Sequence, residues 1–566
     1  MSAVPGATEE RDAWPETLAA HLAGWAGLQP DRTALVWPAP RGRWHTVDFA
    51  TLEAACRARI RELREAGVGA GQKAVVMARD PYDLVTTVYG LLALGAVPVL
   101  IDPALPRPAL RACLDETRPE VFIGDPLAQL ARLLLGWARP HVTVSLLTGR
   151  AWRAWCARRP ELETELETER PEPSWPSPPP AASLALIAFT SGSTGVPKGV
   201  EYEHRQLAAQ VRSLTGLLGL GPGEVLLAGF LPFALFGPAT GATTVVPAID
   251  HLRPARTRGA DLARAVTEHF TSVVCASPAV LRALAGECEH GQLSLAPVRL
   301  ACSFGAPPSE RLVRALRRAL PEEATLLSAY GATECLPVSV IDSAELAAAH
   351  AEPLHAHRGV CLGRPVPGIA AHVLVPVGPV SYNRTVPQGS YGEITVGGPQ
   401  VSRAYHARPG ANAAAKVGTG EDVLHRTGDL GWLDESGRLW FLGRSAHRVH
   451  GAGFALDTAV VERVADAVPG IGRTALIGLG PAGRQRPVLC VELAPSGANS
   501  ATAVLQGLRH ALSAVPGGHR VSTVLLHHRL PTDPRHNSRV DRDRLARWAR
   551  RRLRRRRPGG VLGGRR

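Results

Sequence analysis

Short apolar runs rich in Val, Ile and Leu alternate with amphipathic Ala/Leu/Arg segments through most of the first 440 residues. The segments ATLEAACRARIRELREAG and ADLARAVTEHF have helical periodicity, whereas the apolar runs have the length and β-branched content of buried strands. The predicted strands are KAVVMA, AVPVLID, EVFIG, ALIAFT, EVLLAG, TTVVP, SVVCAS and RLACS. Such alternation is typical of crossover units, and therefore predicts an α/β fold in which helices cover largely parallel sheets.

The pattern changes near residue 443, where helix, strand, strand, helix and strand follow one another over about 100 residues. A chain of 566 residues exceeds the roughly 250–300 that one hydrophobic core supports. We therefore predict a large N-terminal domain (1–443) and a smaller, mobile α+β C-terminal domain (444–550). Within the first, residues 160–182 are acidic and then Pro-rich, which indicates an exposed loop or linker.

Positive charge is concentrated at the C-terminus. Residues 541–566 contain twelve Arg and two Asp, so they carry ten of the fourteen net positive charges. We interpret residues 551–566 as a basic, disordered tail; contact with nucleic acid or an anionic membrane is the alternative, and we expect no nucleic-acid partner. Elsewhere Lys is rare: Lys73, Lys198 and Lys416 are the only three among 64 basic residues.

The chain is expected to be cytoplasmic. Its nine cysteines are scattered without a C-x-x-C pair, which favours reduced thiols, and the N-terminus lacks the pattern of a secretory signal. Residues 84–101 are uncharged, but Gly95 and Pro98 interrupt them. We predict a helix followed by a buried strand there, and no transmembrane segment.

The most informative segment is LALIAFTSGSTGVPKGVEYEH. A buried strand leads into a loop of hydroxyls and glycines with one lysine, Lys198, and the chain then returns as a strand. Backbone N–H groups and hydroxyls in such a loop can form an anion-binding concavity, and the spacing is not that of a Walker A loop. An ordinary Ser/Gly-rich connection between strands is the alternative. The candidate ligand-binding residues are Thr190, Ser191, Gly192, Ser193, Thr194 and Gly195.

At these residues the sequence resembles the adenylate-forming superfamily of acyl-CoA synthetases, luciferases and peptide-synthetase adenylation domains, from about residue 20 to 550. The resemblance implies ATP and Mg²⁺, and an acyl-AMP formed with release of pyrophosphate. It continues in the strings SFGAPPSERL, SAYGATECLPVS and RTGDLGWLDESGRLWFLGR. These strings contain Gly305, Ala306, Pro307, Tyr330, Gly331, Thr333, Glu334, Asp429 and Arg444.

The resemblance also implies a role for several of these residues. Gly305, Ala306 and Pro307 would line the adenine and acyl sites, Tyr330 would stack on adenine, and Thr333 would contact phosphate. Glu334 would be associated with Mg²⁺, and Asp429 and Arg444 would hold the ribose. By itself, the Tyr330–Glu334 string could equally be a strand-to-turn element, and Asp429 a turn carboxylate.

Within the superfamily, the strings FLPFALFGPATGATTVVPAID and TDPRHNSRVDRDRLARWA are similar to the olefin β-lactone synthetase group. That likeness implies closure of a 2-alkyl-3-hydroxy fatty acid to a β-lactone, and leaves partners among pathway enzymes open. The sequence departs from the wider family at three positions: Ala234 replaces a gating His, Ala446 the usual hinge residue, and Arg539 the catalytic Lys.

We therefore expect a carboxylate-activating ligase with Lys198, Glu334 and Arg539 as its catalytic residues. Apolar residues around FALFGPATG are candidate walls for an alkyl chain, with ordinary core packing as the alternative. His447 and His536 lie near suitable motifs, but neither can be assigned as the base for the hydroxyl. A fatty acyl-CoA or acyl-AMP ligase, and a non-enzymatic nucleotide-binding scaffold, are the other functions considered.

Overall fold

The computed structural model describes residues 15–103, 105–149, 175–190, 196–230, 232–249, 257–289, 295–352, 358–374, 389–494, 501–532 and 539–554. Several predictions fall outside this part of the chain. They concern Ser191, Gly192, Ser193, Thr194 and Gly195 of the loop, most of the 160–182 segment, His536, and residues 555–566 of the tail.

The strands confirm the predicted α/β class and the position of every predicted strand. In chain order they are β1 (Thr33–Pro38), β2 (Trp44–Asp48), β3 (Lys73–Met77), β4 (Val97–Leu100), β5 (Val121–Gly124), β6 (Val144–Leu147), β7 (Leu184–Phe189), β8 (Gly199–Glu203), β9 (Val225–Gly229), β10 (Thr243–Val245), β11 (Val273–Ala276), β12 (Leu300–Phe304), β13 (Thr325–Ala332), β14 (Cys335–Asp342), β15 (Val360–Pro365), β16 (Ala370–Leu374), β17 (Tyr391–Gly397), β18 (Ala404–Tyr405), β19 (Lys416–Val417), β20 (Leu424–Leu433), β21 (Leu439–Arg444), β22 (Val449–Gly451), β23 (Phe454–Leu456), β24 (Ile471–Leu479), β25 (Arg486–Leu493) and β26 (Thr523–Leu526).

The helices lie between these strands as the alternating pattern predicts. The α-helices are Leu18–Leu28, Phe49–Glu65, Pro81–Ala93, Arg107–Thr117, Pro126–Leu135, His204–Leu218, Pro232–Phe236, Gly259–Glu268, Pro278–Glu289, Glu310–Ala319, Ser343–Ala351, Pro409–Ala415, Thr458–Asp466, Ala501–Ser513 and Arg542–Arg554. The last helix extends four residues into the segment that the sequence assigns to the tail. Within the described residues, every helix is too short or too polar to cross a bilayer.

Two large sheets form the body of the molecule. One has the order β18-β8-β7-β4-β3-β5-β6, and the other runs β16-β17-β20-β21-β15-β14-β13-β12-β11-β9-β10-β1-β2, with β19 paired to β20. The strands joined by helical crossovers are parallel, from β1 through β10, β9, β11 and β12 to β13. From β13 to β16 at the far edge, neighbouring strands of the second sheet are antiparallel.

A three-stranded sheet, β24-β25-β26, contains only strands that follow residue 470. This sheet packs against the β20-β21 hairpin. Leu489 of β25 and Val461 of the helix Thr458–Asp466 share one buried apolar cluster with Trp432 and Trp440 of the hairpin. The two indole rings stack with centroids 5.3 Å apart. The eight cysteines of the described residues are all free thiols.

Candidate active site

The glycine-rich loop is closed at its base by two hydrogen bonds between its flanks. Strands β7 and β8 are antiparallel neighbours, so the ends of the loop lie side by side. The Thr190 amide donates to the Lys198 carbonyl at 3.0 Å, and the Lys198 amide donates to the Thr190 hydroxyl at 3.1 Å. The loop therefore begins at the carboxyl end of a buried strand, the edge at which α/β sheets bind ligands.

The Tyr330–Glu334 string forms the turn between β13 and β14. Thr333 and Glu334 are the two residues between the paired Ala332 and Cys335. Gly331 lies at an irregularity of this hairpin, where a Cβ atom would come within 2.8 Å of Leu336 and 2.9 Å of the Cys335 carbonyl. A side chain at position 331 would therefore push the turn open and displace its neighbours.

Asp429 is linked both to this turn, through Tyr330, and to Arg444. The register of β20 and β21 places Asp429 directly opposite Arg444, whose Nε lies 3.0 Å from Asp429 Oδ1. The Tyr330 hydroxyl donates to the other carboxylate oxygen, Oδ2, at 2.7 Å. Residues from two separate sequence strings, Tyr330 in one and Asp429 and Arg444 in the other, thus meet in one network.

The charges of this network are fixed by its surroundings. The carboxylate of Asp429 raises the pKa of Arg444 further above its already high value, so the guanidinium stays charged. Burial, with Asp429 as a further cause, raises the pKa of the Tyr330 phenol well above 10. The phenol therefore stays protonated and remains a donor to the carboxylate.

Glu334 has partners that the motifs do not predict. The Tyr405 hydroxyl donates to Glu334 Oε1 at 2.6 Å, and the Ser402 amide donates to the Glu334 carbonyl at 2.8 Å. The ammonium of Lys416 donates to the Ser402 carbonyl and, at 3.1 Å, to its hydroxyl. The Tyr405 ring also lies 4.6 Å from Lys198 Nζ, which connects the glycine-rich loop to Glu334.

Glu334 is ionised although it is partly buried. Burial by itself raises the pKa of this carboxyl, but His425, the hydrogen bond from Tyr405 and the charge of Lys416 outweigh it and lower the pKa. Burial also lowers the pKa of His425 to about 3, so that imidazole is uncharged at neutral pH. The charge of Glu334 at neutral pH therefore depends on Tyr405 and Lys416.

Arg539 reaches across from the C-terminal part of the chain. Its Nε donates to the Gly305 carbonyl at 3.1 Å. Gly305 directly follows β12, with a φ of 96° that favours glycine, and Ala306 and the exposed Pro307 continue the loop. Arg539 thus contacts the segment that the sequence assigns to the adenine and acyl sites.

The apolar segment around Ala234 is buried beside the same strand end. The Phe233 ring lies 4.8 Å from that of Phe304, the last residue of β12, and both are nearly inaccessible to solvent. The Tyr89 hydroxyl donates to the Leu235 carbonyl at 2.7 Å. These contacts place Ala234 in the core cluster that contains Phe304, the residue before Gly305.

Sequence reasoning thus selected residues that the structure brings together: Lys198, Glu334, Tyr330, Asp429 and Arg444. It missed Ser402, Tyr405 and His425, which carry no motif. Lys416 had one signal, its rarity in a chain that uses Arg almost everywhere. His447 lies just after Arg444, and burial lowers its pKa to about 4.

Comparisons with known proteins identify the family of this chain. The family model described as AMP-binding enzyme matches residues 22–406, which include Lys198, Tyr330 and Glu334. The chain therefore belongs to the AMP-binding enzyme family, as its motifs predict.

Two relatives share almost the whole chain. The olefin beta-lactone synthetase of Stenotrophomonas maltophilia (strain K279a) is 39% identical over 94% of this chain and 98% of its own. The enzyme of the same name from Xanthomonas campestris pv. campestris is also 39% identical, over 94% of this chain and 97% of its own.

Solved structures share the fold. The amide bond synthetase McbA from Marinactinospora thermotolerans has a TM-score of 0.75 at 21% identity and covers 94% of this chain and 99% of its own. O-succinylbenzoate coenzyme A synthetase from Bacillus subtilis, solved with ATP and magnesium, has a TM-score of 0.71 at 20% identity, over 93% of this chain and 98% of its own. These likenesses confirm the mixed α/β architecture with a smaller C-terminal part.

Proposed function

We propose that this protein activates a 2-alkyl-3-hydroxy fatty acid with ATP as an acyl-adenylate and closes the adenylate to a β-lactone. The observation that carries the proposal is the 39% identity to two olefin beta-lactone synthetases over 94% of the chain. The assembled residues Lys198, Tyr330, Glu334, Asp429 and Arg444 support the first step. We expect the basic tail, residues 551–566, to play no part in either step.

ATP fits the residues that meet at this site. The Asp429 carboxylate, held by Tyr330 and Arg444, suits the hydroxyls of a ribose, because a charged acceptor fixed on both sides is already oriented for them. The aromatic ring of Tyr330, which is partly exposed, suits stacking on an adenine ring. Lys198 and the amides of the glycine-rich loop suit the phosphates.

Mg²⁺ fits Glu334. A carboxylate oxygen is a ligand that this ion prefers, and one carboxylate with phosphate oxygens is a common way to hold it. The pKa of Glu334 is lowered, which keeps the carboxylate ionised for a cation. When bound, Mg²⁺ would neutralise charge on the phosphates.

Adenylation is an attack by the substrate carboxylate on the α-phosphorus. The bond from that phosphorus to the bridging oxygen breaks, and pyrophosphate leaves. Lys198 and Arg539 offset the negative charge that builds on the phosphates. Arg539 already contacts the Gly305 carbonyl, beside the proposed adenine site.

Lactone formation needs only the bound intermediate. The β-hydroxyl oxygen attacks the acyl carbon, the bond from that carbon to the AMP oxygen breaks, and the hydroxyl proton is released. A nucleophile in the same molecule has a high effective concentration, so no second substrate is required. Exclusion of water protects the mixed anhydride. Apolar residues near Ala234 are the proposed walls for the alkyl chain.

We also propose two domains, 1–443 and 444–550, that rotate about residues 443–446 between the steps. Gly443 has a φ of 132°, and a Cβ atom there would come within 2.5 Å of Thr458 Oγ1. A bend that only glycine adopts easily is a suitable place for the change of direction. Ala446 leaves the adjoining turn without a charged side chain.

The product tests the proposal. Incubation with Mg·ATP and a 2-alkyl-3-hydroxy fatty acid, without coenzyme A, is expected to yield AMP, pyrophosphate and a product one water lighter than the acid. Mass spectrometry and the carbonyl band of a four-membered lactone identify it. A matched acid without the 3-hydroxyl is expected to stop at the acyl-adenylate, because the internal nucleophile is missing.

Two variants serve as controls. Lys198→Ala is expected to abolish pyrophosphate release, whereas Lys73→Ala, which changes a lysine of β3 outside the site, is expected to retain it. A thioester that forms only after coenzyme A is added would show that the protein is an acyl-CoA ligase instead. The absence of pyrophosphate release with any carboxylate would favour a non-enzymatic role.

A further inference from the structure

Lys416 is unexplained by the motifs, although its identity is unusual. The chain has 64 basic residues, of which only three are Lys. Two of these three lie near the same ring: Lys198 Nζ is 4.6 Å and Lys416 Nζ is 5.4 Å from the centroid of Tyr405. The third, Lys73, begins β3, which β8, β7 and β4 separate from the strand β18 that carries Tyr405.

Lys416 is the first residue of β19. This two-residue strand pairs with β20, and Lys416 lies opposite His425 in the register. The same strand β20 carries Asp429 four residues later. Lys416 is therefore attached to the strand that holds the proposed ribose-binding carboxylate.

The ammonium of Lys416 is fixed by one residue. It donates to the carbonyl and the hydroxyl of Ser402, whose own amide donates to the Glu334 carbonyl. Three residues further along, Tyr405 donates to the Glu334 carboxylate. The segment 402–405 therefore contacts Glu334 at both its main chain and its side chain, and Lys416 anchors the start of that segment.

The chemistry of this anchor favours Lys over Arg. A single ammonium nitrogen carries three donors and reaches two oxygens of the same residue, whereas a guanidinium is longer and spreads its donors over a plane. Burial lowers the pKa of Lys416 to about 8, with Glu334 acting in the opposite direction, so the amine is largely charged at neutral pH.

We propose that Lys416 is a positioning residue of the nucleotide site, which holds the segment 402–405 against Glu334 so that the Glu334 carboxylate is oriented toward Mg·ATP. The proposal deepens the adenylation step of the proposed function and rests on that step alone. It does not depend on which product forms from the adenylate.

Binding of Mg·ATP measures this role without turnover. We expect Lys416→Met to weaken binding about tenfold by isothermal titration calorimetry, because both the anchor and a positive charge near the phosphates are lost. Lys73→Met is the matched control and is expected to bind within twofold of the wild type. The thermal midpoint of each variant, recorded in parallel, shows whether it is folded.

A double-mutant cycle distinguishes positioning from a general structural role. If Lys416 acts through the segment that ends at Tyr405, most of its effect is already lost in a Tyr405→Phe background, where Lys416→Met removes only the contribution of its charge and weakens binding by clearly less than tenfold. Equal loss in both backgrounds would overturn the proposal. So would binding by Lys416→Met that equals the wild type.

Lys416→Arg is the second variant, and it keeps the proposal testable if the Met variant does not fold. It retains the charge but alters the contact with Ser402, and we expect Mg·ATP binding to stay at least fivefold weaker than in the wild type. Full affinity with Arg would show that charge alone matters and would overturn the positioning role. A wild-type protein that does not bind Mg·ATP would overturn both this inference and the proposed function, whereas a failure confined to Lys416 would leave the function intact.

Discussion

Tyr330 combines two interactions that substitution can separate. Its ring is assigned to adenine, while its hydroxyl donates to Asp429 Oδ2 at 2.7 Å. Tyr330→Phe removes only the hydroxyl, and Tyr330→Ala removes both. The hydroxyl bond exists without nucleotide, so its loss is expected to appear mainly in the stability of the protein rather than in ATP affinity.

The magnitudes follow from the kind of contact. A hydrogen bond to a charged group contributes about 1.5–3 kcal/mol, so Tyr330→Phe is expected to lower the free energy of unfolding by that amount. Because Arg444 still holds Asp429, ATP binding is expected to weaken by less than about tenfold. Tyr330→Ala also loses the stacking of the base, about 1–3 kcal/mol, which corresponds to a further weakening of roughly 5- to 150-fold.

Urea denaturation and calorimetric titration with Mg·ATP measure the two effects. Tyr391→Phe is the matched control, because Tyr391 is an exposed tyrosine whose hydroxyl accepts a hydrogen bond from Arg448 away from the site. If Tyr330→Ala binds ATP as tightly as Tyr330→Phe, the ring does not stack on the base. If Tyr330→Phe is as stable as the wild type, the hydrogen bond from Tyr330 to Asp429 contributes nothing to the free energy of unfolding.

Two further predictions concern Arg539 and Asp466. Arg539→Lys is expected to slow adenylation about three- to tenfold, because the bond from Nε to the Gly305 carbonyl is lost; pyrophosphate exchange at or above the wild-type rate would show that Arg539 is only a tolerated replacement of the family Lys. Burial raises the pKa of Asp466 from 3.8 to about 7, so the native state holds a proton that the unfolded state releases between these values, and stability falls as the pH rises through this range. Asp466→Asn cannot ionise, so between pH 5 and pH 7.5 its free energy of unfolding is expected to rise relative to that of the wild type by at most about 2.5 kcal/mol, with a matching change in the difference between the thermal midpoints; equal pH dependence of the two proteins would contradict this reasoning.

The parts of the fold that local patterns determine were predictable. Apolar runs such as KAVVMA became strands and the charged segments between them became helices, because burial on a sheet and on one helix face impose different periods. The residues 84–101 became the end of a helix and the strand β4, as Gly95 and Pro98 indicate. The antiparallel half of the larger sheet was not predicted, since strand direction depends on connections that periodicity does not specify.

The same distinction explains which parts of the site were missed. Asp429 and Arg444 face each other because they lie on adjacent strands of one hairpin. Both belong to the string RTGDLGWLDESGRLWFLGR, in which the family resemblance is visible. The contacts of Glu334 come instead from Ser402 and Tyr405, which reach it only after the two large sheets have packed together. Hydrophobic periodicity along the chain does not indicate a contact between two sheets. The one trace in the sequence is a lysine in a chain that uses Arg almost everywhere else. The geometry at Lys416 suits a lysine, because the ammonium binds two oxygens of Ser402 at once. In a chain with so strong a bias, two of the three exceptions, Lys198 and Lys416, lie at the site.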